Sequence, residues 1–319
     1  MTASTDHSPE IPLRPVEMHI YRPTEPVEAT VTKNELCTNK KAAGVVRHIE
    51  LDITGTNLAG RVHPGQSIGV LAEGLDQHGK PHKLRLYSVA HPTGGEDGKG
   101  NIISTTVKRS IDEHWETHKL FLGVCSNYLC DRQVGDKIRI SGPNGKKFVL
   151  PKEPDSFDYM FFATGTGIAP FRGMLIDLLR SHASSKIALV MGSPYSTDLL
   201  YHDFFLRMAS EHPNFTYLTA ISRERNGNHD RLYVQDRLRT DRDRLLPIMS
   251  GPRTLIYVCG LAGMELGIFQ ELALALNGSA LEQYLHVDSE AMHDIRKWNR
   301  SMLHKQVRPT RRVFMEVYA

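Results

Sequence analysis

Tyr159-Met-Phe-Phe-Ala-Thr-Gly-Thr-Gly-Ile-Ala-Pro170 is the stretch whose reading settles the second half of this chain. Tyr159 to Ala163 is a short apolar strand. A glycine turn, Gly165-Thr-Gly-Ile-Ala-Pro170, follows, and Phe171-Arg-Gly-Met-Leu-Ile-Asp-Leu-Leu-Arg180 spaces its apolar residues as a helix does. Strand, glycine turn and helix form the context a dinucleotide phosphate requires, because the backbone can approach closely and the first N–H groups of the helix are open. Pro170 suits the first helical turn, where its missing N–H is not needed. It also replaces the third glycine of the usual fingerprint, and a bare GxG after a strand is often only a tight turn.

The neighbouring sequence keeps the same rhythm. Strands are expected at Ile187-Ala-Leu-Val-Met191, Phe215 to Ile221, Thr254-Leu-Ile-Tyr-Val-Cys259 and Val313 to Tyr318. Helices are expected at Leu199 to Met208, Val234 to Leu246, Met264 to Leu276 and Leu281 to Met302. Alternating strands and helices imply a parallel, doubly wound α/β Rossmann-like sheet.

Upstream the pattern differs. Ala29–Thr32, Val45–Ile53, Ser67–Leu71, Leu84–Val89, Ile102–Lys108 and Lys137–Ser141 are short β-branched runs separated by turns such as His63-Pro-Gly65 and Ser141-Gly-Pro-Asn-Gly145. Many short strands with regular turns suggest a small antiparallel β-barrel. The expected organisation is an arm over residues 1–17, a barrel over 18–152 and an α/β domain over 153–319, with Pro151 to Pro154 as the linker.

Bulk properties narrow the class. The 319 residues allow two domains, and 40% hydrophobic with 24% charged residues is a globular balance. No apolar run is long enough to span a bilayer. The first ten residues carry Asp6 and Glu10 and no basic patch before an apolar stretch, which reads as a flexible arm of a cytoplasmic protein rather than a signal peptide. Four cysteines, Cys37, Cys125, Cys130 and Cys259, show neither a disulfide framework nor a zinc spacing, so no metal is expected. A net charge of +3 implies no nucleic-acid role. Lysines and arginines crowd the first half, including Lys80, Lys83, Lys146 and Lys147; they form either a solvated surface or a docking face for an acidic partner.

Three further segments carry candidate chemistry. Lys83-Leu-Arg-Leu-Tyr-Ser88 places Arg85, Tyr87 and Ser88 on one strand, with Tyr87 on the face opposite Leu86 and Ser88. An arginine can fork onto a pyrophosphate, a ring can lie on an isoalloxazine, and a hydroxyl can bond its edge. Gly123-Val-Cys-Ser-Asn-Tyr-Leu-Cys-Asp131 reads as a glycine turn into a helix N-terminus, with Ser126 as N-cap. After the strand ending at Ile221, Ser222-Arg-Glu-Arg225 and Arg231-Leu-Tyr-Val-Gln235 offer cations and a ring. That set suits a 2′-phosphorylated ribose better than a free 2′-hydroxyl, which calls for a carboxylate. Cys259 has no histidine partner in sequence, so contact with a nicotinamide is more economical than a covalent role.

Taken together, Gly79–Ser88, Gly123–Asp131, Thr164–Arg172, Ser222–Glu224, Tyr233–Gln235, Cys259–Glu265 and Glu316–Tyr318 resemble the plant-type ferredoxin–NADP⁺ reductases, in family order and from about Met18 onward. The resemblance implies an FAD enzyme coupling one-electron transfer with ferredoxin or flavodoxin to hydride transfer with NADP(H). By that likeness Arg85, Leu86, Tyr87, Ser88, Val124, Cys125 and Ser126 hold FAD, and Thr106, Val107 and Lys108 line its pyrophosphate and adenosine. Thr166 lies between FAD and NADP. Ser193, Pro194, Ser222, Arg223, Arg231, Tyr233, Gln235, Gly260 and Leu261 bind NADP(H). Ser88, Cys259 and Glu316 surround the reacting atoms, Tyr318 covers the flavin ring, and Lys80 and Lys83 face the acidic carrier. The chain departs from the family in three places: Ala319 follows the usual terminal tyrosine, Asp112 replaces an adenine-stacking tyrosine (Trp115 is a substitute), and the basic segment 286–312 is longer. Two other readings stay open, the reductase component of an oxygenase and a non-catalytic flavin or nucleotide sensor.

Overall fold

The computed structural model describes residues 10–180, 184–225 and 231–318, so the expected arm up to position 9 and Ala319 lie outside the described residues. Contacts divide the chain into two units. One is Arg14–Leu150 with Ala169–Ser181, and the other is Met1–Leu13, Pro151–Ile168 and His182–Ala319.

In the first unit the strands are β1 (Val27–Leu36), β2 (Val46–Asp52), β3 (Ser67–Leu71), β4 (Arg85–Ser88), β5 (Ile102–Lys108), β6 (Ile111–Glu113), β7 (Leu120–Leu122) and β8 (Lys137–Asn144). Six of them form an antiparallel sheet in the order β4-β3-β8-β1-β2-β5. Its two outer strands meet through the Val89–Thr105 bridge, and the Ala90 N–H donates to the Ser104 carbonyl at 2.8 Å. The sheet therefore closes into the expected barrel, which leaves no long open edge. Alternate residues point inward: Ala29 and Val31, Ile49 and Leu51, Ile68 and Val70, and Ile138 and Ile140 fill the core. Helix α1 (Val124–Cys130) adds Cys125, Leu129 and Cys130 to it.

The β6–β7 hairpin was not legible in the sequence, which has no Asn-Gly or Asp-Gly signal there. His118 turns the chain at φ 54° instead. Ile111, Leu120, Phe121 and Leu122 on this hairpin are all more than half exposed. Helix α2 (Ile168–Arg180) belongs with the barrel from Ala169 onward. The Arg172 Nη1 donates to the Glu96 Oε1 at 2.5 Å and to the Ala90 carbonyl at 2.9 Å, and the Thr93 N–H donates to the Asp177 Oδ1 at 3.0 Å. Gly173 lets the helix in, because a Cβ there would lie 2.1 Å from the His91 carbonyl oxygen. His48, Glu50 and Glu96 gather their donors within 4.8 Å of one another. Arg172 and Ser104 bond Glu96 and Lys33 pairs with Glu50, so the cluster is a charge network with its cations supplied by the protein.

In the second unit β9 (Asp158–Thr164), β10 (Ile187–Ser193), β11 (Phe215–Ile221), β12 (Thr254–Leu261), the small pair β13 (Leu285–Val287) and β14 (Val307–Pro309), and β15 (Val313–Tyr318) alternate with helices. The helices are α3 (His202–Glu211), α4 (Arg237–Thr240), α5 (Arg242–Met249), α6 (Met264–Ala275), α7 (Gly278–Glu282) and α8 (Ser289–Met292). The main sheet runs β11-β10-β9-β12-β15, and its four strand pairings are all parallel. This is the Rossmann-like sheet expected. Met160, Phe162, Val190, Ile256 and Val258 face one core with Leu245, Ile248, Ile268 and Phe269 from α5 and α6. Tyr159, Phe161, Tyr257 and Phe314 form a row of rings on the other face, with centroids 4.5–5.7 Å apart along the row. Each such ring contributes roughly 1.5–3 kcal/mol by burial.

Two expected helices are corrected. Val234 to Leu246 is interrupted at Asp241 (φ −116°, ψ 34°), whose carboxylate takes the Arg237 guanidinium at 2.9 Å and ends α4. Leu281 to Met302 is not one helix. Leu285–Val287 leaves helical geometry to pair with Val307–Pro309, and Trp298 is buried with its indole N–H donated to the Ala291 carbonyl at 2.8 Å. Long-range pairing overrides the helical spacing of the apolar residues there.

Candidate functional site

In an open parallel sheet ligands settle beyond the strand ends where the strand order reverses. Here that place is the carboxyl ends of β9 and β12. The Gly165–Gly167 turn leaves β9 with Gly165 at φ 52° and open space where a Cβ would be. Gly167 lies so close to β12 that a Cβ would be 2.2 Å from the Cys259 carbonyl oxygen. A Cβ on Gly260, at φ 146°, would lie 2.1 Å from the Thr164 Oγ1. The Leu261 N–H donates to that same Thr164 hydroxyl at 2.8 Å. Thr164, at the end of β9, thus latches the β12 turn to the β9 turn; no role of its own was legible for it in the sequence.

Cys259, Glu316, Tyr318 and Thr166 come together at this edge. Cys259 pairs with Glu316 across β12 and β15, and Leu261 pairs with Tyr318. Cys259 is buried, and burial, with the Glu316 charge next in weight, pushes its thiol well above the usual range. The Glu316 side chain makes no hydrogen bond among the described residues, and burial pushes its carboxyl up to about 7. The Tyr318 hydroxyl and the Thr166 Oγ1 share a hydrogen bond of 2.9 Å. Burial of that end pushes the phenol up to about 12, while 43% of the residue stays open.

The expected 2′-phosphate residues gather at the end of β11. The Ser222 N–H donates to the Ser193 carbonyl at 3.0 Å and the Arg223 N–H to the Pro194 carbonyl at 2.9 Å. The Leu232 N–H returns to Ile221 at 2.9 Å, which brings Arg231 and Tyr233 back to the same strand end. Arg223 and Arg231 are exposed and form no ion pair among the described residues; Tyr233 is 61% exposed. Gln235 packs against α6, where a Cβ on Gly267 would meet its amide at 2.8 Å. Two free guanidiniums beside an open ring fit a phosphorylated ribose and an adenine.

In the barrel, β4 and α1 meet. The Cys125 thiol donates to the Val70 carbonyl at 3.8 Å, and burial first, then the Cys125 thiol, pushes the Tyr87 phenol up. Arg85 is exposed; its guanidinium reaches only the Leu84 carbonyl, at 3.4 Å, and forms no ion pair among the described residues. Its charge acts on Cys125, so it stands near α1. Ser88 is half-buried, and its carbonyl accepts the Thr105 hydroxyl at 2.8 Å. Leu86 is 57% and Val124 49% exposed.

Ser126 is not the N-cap expected. Gly123 holds that position, where a Cβ would lie 2.7 Å from Ser110, and no side chain caps the helix. The Ser126 hydroxyl instead donates to the Gly123 carbonyl at 3.1 Å and accepts the Ser110 N–H at 3.2 Å. Thr106 and Val107 are buried, so Val107 offers a ligand only its backbone, whereas Lys108 is exposed. Asp112 stands directly opposite Phe121, and Trp115 is 81% exposed. An unpaired arginine beside an uncapped helix start, with a tyrosine at hand, fits FAD and its pyrophosphate. Lys80 and Lys83 are exposed and form no ion pair among the described residues.

A closed antiparallel barrel with such a cluster, and a parallel sheet with a dinucleotide edge, define a nicotinamide-linked flavin oxidoreductase. Residues 161–269 match the family described as oxidoreductase NAD-binding domain. The ferredoxin–NADP reductase of Spirulina sp. is 39% identical over 267 residues, 82% of this chain and 90% of that protein. The Synechocystis sp. ferredoxin–NADP reductase is 40% identical over 260 residues, 79% of this chain and 62% of that one. The solved ferredoxin–NADP⁺ reductase of Plasmodium falciparum shares the fold with a TM-score of 0.69 at 20% identity, over 94% of this chain and 99% of that one. The chain belongs to the ferredoxin–NADP reductase family, enzymes that use FAD and NADP(H).

Proposed function

We propose that this protein is an FAD-dependent ferredoxin–NADP⁺ oxidoreductase. The observation that carries the reading is the Arg223, Arg231 and Tyr233 cluster at the end of β11, together with the latched turns of β9 and β12 on the same sheet. Arg85, Leu86, Tyr87 and Ser88 with Val124, Cys125 and Ser126 hold FAD, and Thr106, Val107 and Lys108 follow its pyrophosphate and adenosine. The exposed Phe121 and Trp115 supply the ring that Asp112 lacks. When bound, FAD trades single electrons with an iron–sulfur or flavin protein for hydride exchange with NADP(H).

The protein's own contribution is position and polarity. Arg223, Arg231, Ser193, Pro194, Ser222, Tyr233 and Gln235 anchor the phosphorylated end of NADP(H), and Gly260 and Leu261 receive the nicotinamide end. The Cys259 thiol stays neutral. The Glu316 carboxyl keeps its proton below about pH 7 and can donate a hydrogen bond there. Thr166 holds the Tyr318 hydroxyl. Four free cysteines suit a cytoplasmic enzyme. No described helix is long and apolar enough to cross a membrane.

The one-electron partner is an acidic ferredoxin or flavodoxin, met through Lys80 and Lys83. Reversing both, Lys80→Glu with Lys83→Glu, is expected to raise the KM for ferredoxin by about tenfold at low salt, an effect that shrinks as salt screens it. NADPH-dependent cytochrome reduction through added ferredoxin, measured across ionic strength, checks this. A KM and salt dependence equal to those of the unaltered protein would rule out that docking face.

A further inference from the structure

The segment 286–312 stood out in the sequence as long and basic, which suggests a surface for an acidic partner. Four of its cations are already paired. Arg296 bonds Glu271 at 2.7 Å, Lys297 pairs with Asp294 at 2.9 Å, Arg308 with Asp288 at 2.9 Å, and Arg300 with Glu265 at 3.7 Å. Two of these carboxylates, Glu265 and Glu271, are buried on α6. Between them the Gln270 amide donates to the Ile295 and Arg296 carbonyls at 3.0 and 3.3 Å. The chain from α8 to β14 therefore runs along α6 and is fastened to it at three positions. Its own Trp298 is buried, and the β13–β14 pair closes its base.

Glu265 matters most because it has a second duty. While its Oε1 faces Arg300, its Oε2 accepts the Gly263 N–H at 2.7 Å. Gly263 (φ 108°) ends the turn that begins with Gly260 and Leu261, and the Ala262 N–H in that turn donates to the Tyr318 carbonyl at 2.8 Å. A buried carboxylate needs both a donor and a counter-charge. The strap supplies the counter-charge, and the turn supplies the donor.

We infer that this strap is a positioning element for NADP(H): Arg300, acting through Glu265, fixes the Gly260–Gly263 turn so that Leu261 is presented in one conformation. The inference rests on the NADP(H) reading proposed above. Neither residue touches the nucleotide; both act on the backbone that does.

The test uses the full chain reconstituted with FAD, with three variants: Arg300→Gln, Glu265→Gln and the double replacement. The readouts are NADP⁺ affinity by calorimetry, the KM and kcat for NADPH, and amide exchange at Gly263. Arg300→Gln is expected to weaken NADP⁺ binding and raise the KM about 3–10-fold, with kcat within about twofold and faster Gly263 exchange. Because the two residues act in series, the double variant should be no worse than the more severe single one. Wild-type affinity and KM in Arg300→Gln, even with a lower melting temperature, would show a merely structural strap and overturn the inference. If the unaltered protein binds no NADP⁺ at all, the functional reading itself fails, and this inference with it.

Discussion

Replacing Arg223 and Arg231 together with alanine is expected to lower the preference for NADPH over NADH by about 100-fold. Each guanidinium stands exposed at the end of β11 without a protein carboxylate among the described residues, so each is available to a 2′-phosphate. A charge-assisted hydrogen bond is worth roughly 1.5–3 kcal/mol, and two of them correspond to about two to four orders of magnitude as an upper range. Each single variant should fall between, and the loss should appear in KM rather than kcat, because the phosphate is remote from the reacting carbon. NADH kinetics should change little, since that cofactor presents no charge for the arginines to grip. A double variant with an unaltered preference would remove the 2′-phosphate assignment.

The second large effect concerns Glu316. Burial holds its carboxyl at about 7 against an ordinary value of 4.5, so the unfolded chain loses this proton well before the folded protein does. Between these two pH values the folded state binds more protons. Its stability therefore falls as pH rises, with the favourable contribution complete below about pH 4.5 and gone above about pH 7. The span is worth of the order of 3 kcal/mol. Glu316→Gln keeps the shape and carries no ionisable group, so it should be more stable than the unaltered protein at pH 8. It should also lack this part of the pH dependence. Denaturant melts at pH 5 and pH 8 measure both. Parallel stability curves for the two proteins would mean that the carboxyl titrates as an exposed group would.

These two cases show which features could be read from sequence and which could not. The Gly165–Gly167 turn was legible because a glycine run between an apolar strand and a helical pattern has few other uses. The place of Arg223 and Arg231, after a strand end within a parallel sheet, was legible from the order of strands and helices. The barrel was legible from its spacing of short strands and turns. Thr164 was not, since its role is to accept the Leu261 N–H from a strand almost a hundred residues away. Nor was the approach of the Cys125 thiol to Val70 and Tyr87, which depends on how α1 packs on the barrel. Gly123 displaced Ser126 from the cap because the crowded turn leaves no room for a side chain.

The segment from Leu281 to Met302 was misread for a different reason. Leu281, Leu285, Ala291, Ile295, Trp298 and Met302 fall close to helical spacing, yet their burial comes from separate short elements folded against α6. The carboxylates that hold that segment, Glu265 and Glu271, lie in an earlier helix and look like ordinary surface residues of an amphipathic pattern. Their burial is visible only once the strap is in place.

FAD in the barrel and NADP(H) at the sheet edge are tested together by one titration. FAD is added to the purified protein, the excess is removed, and NADPH is added without oxygen while the visible absorbance is followed. The expected result is one tightly held FAD per chain whose yellow colour NADPH bleaches within seconds and NADH bleaches far more slowly. A protein that stays colourless in FAD, or a bound flavin whose colour survives NADPH, would contradict it.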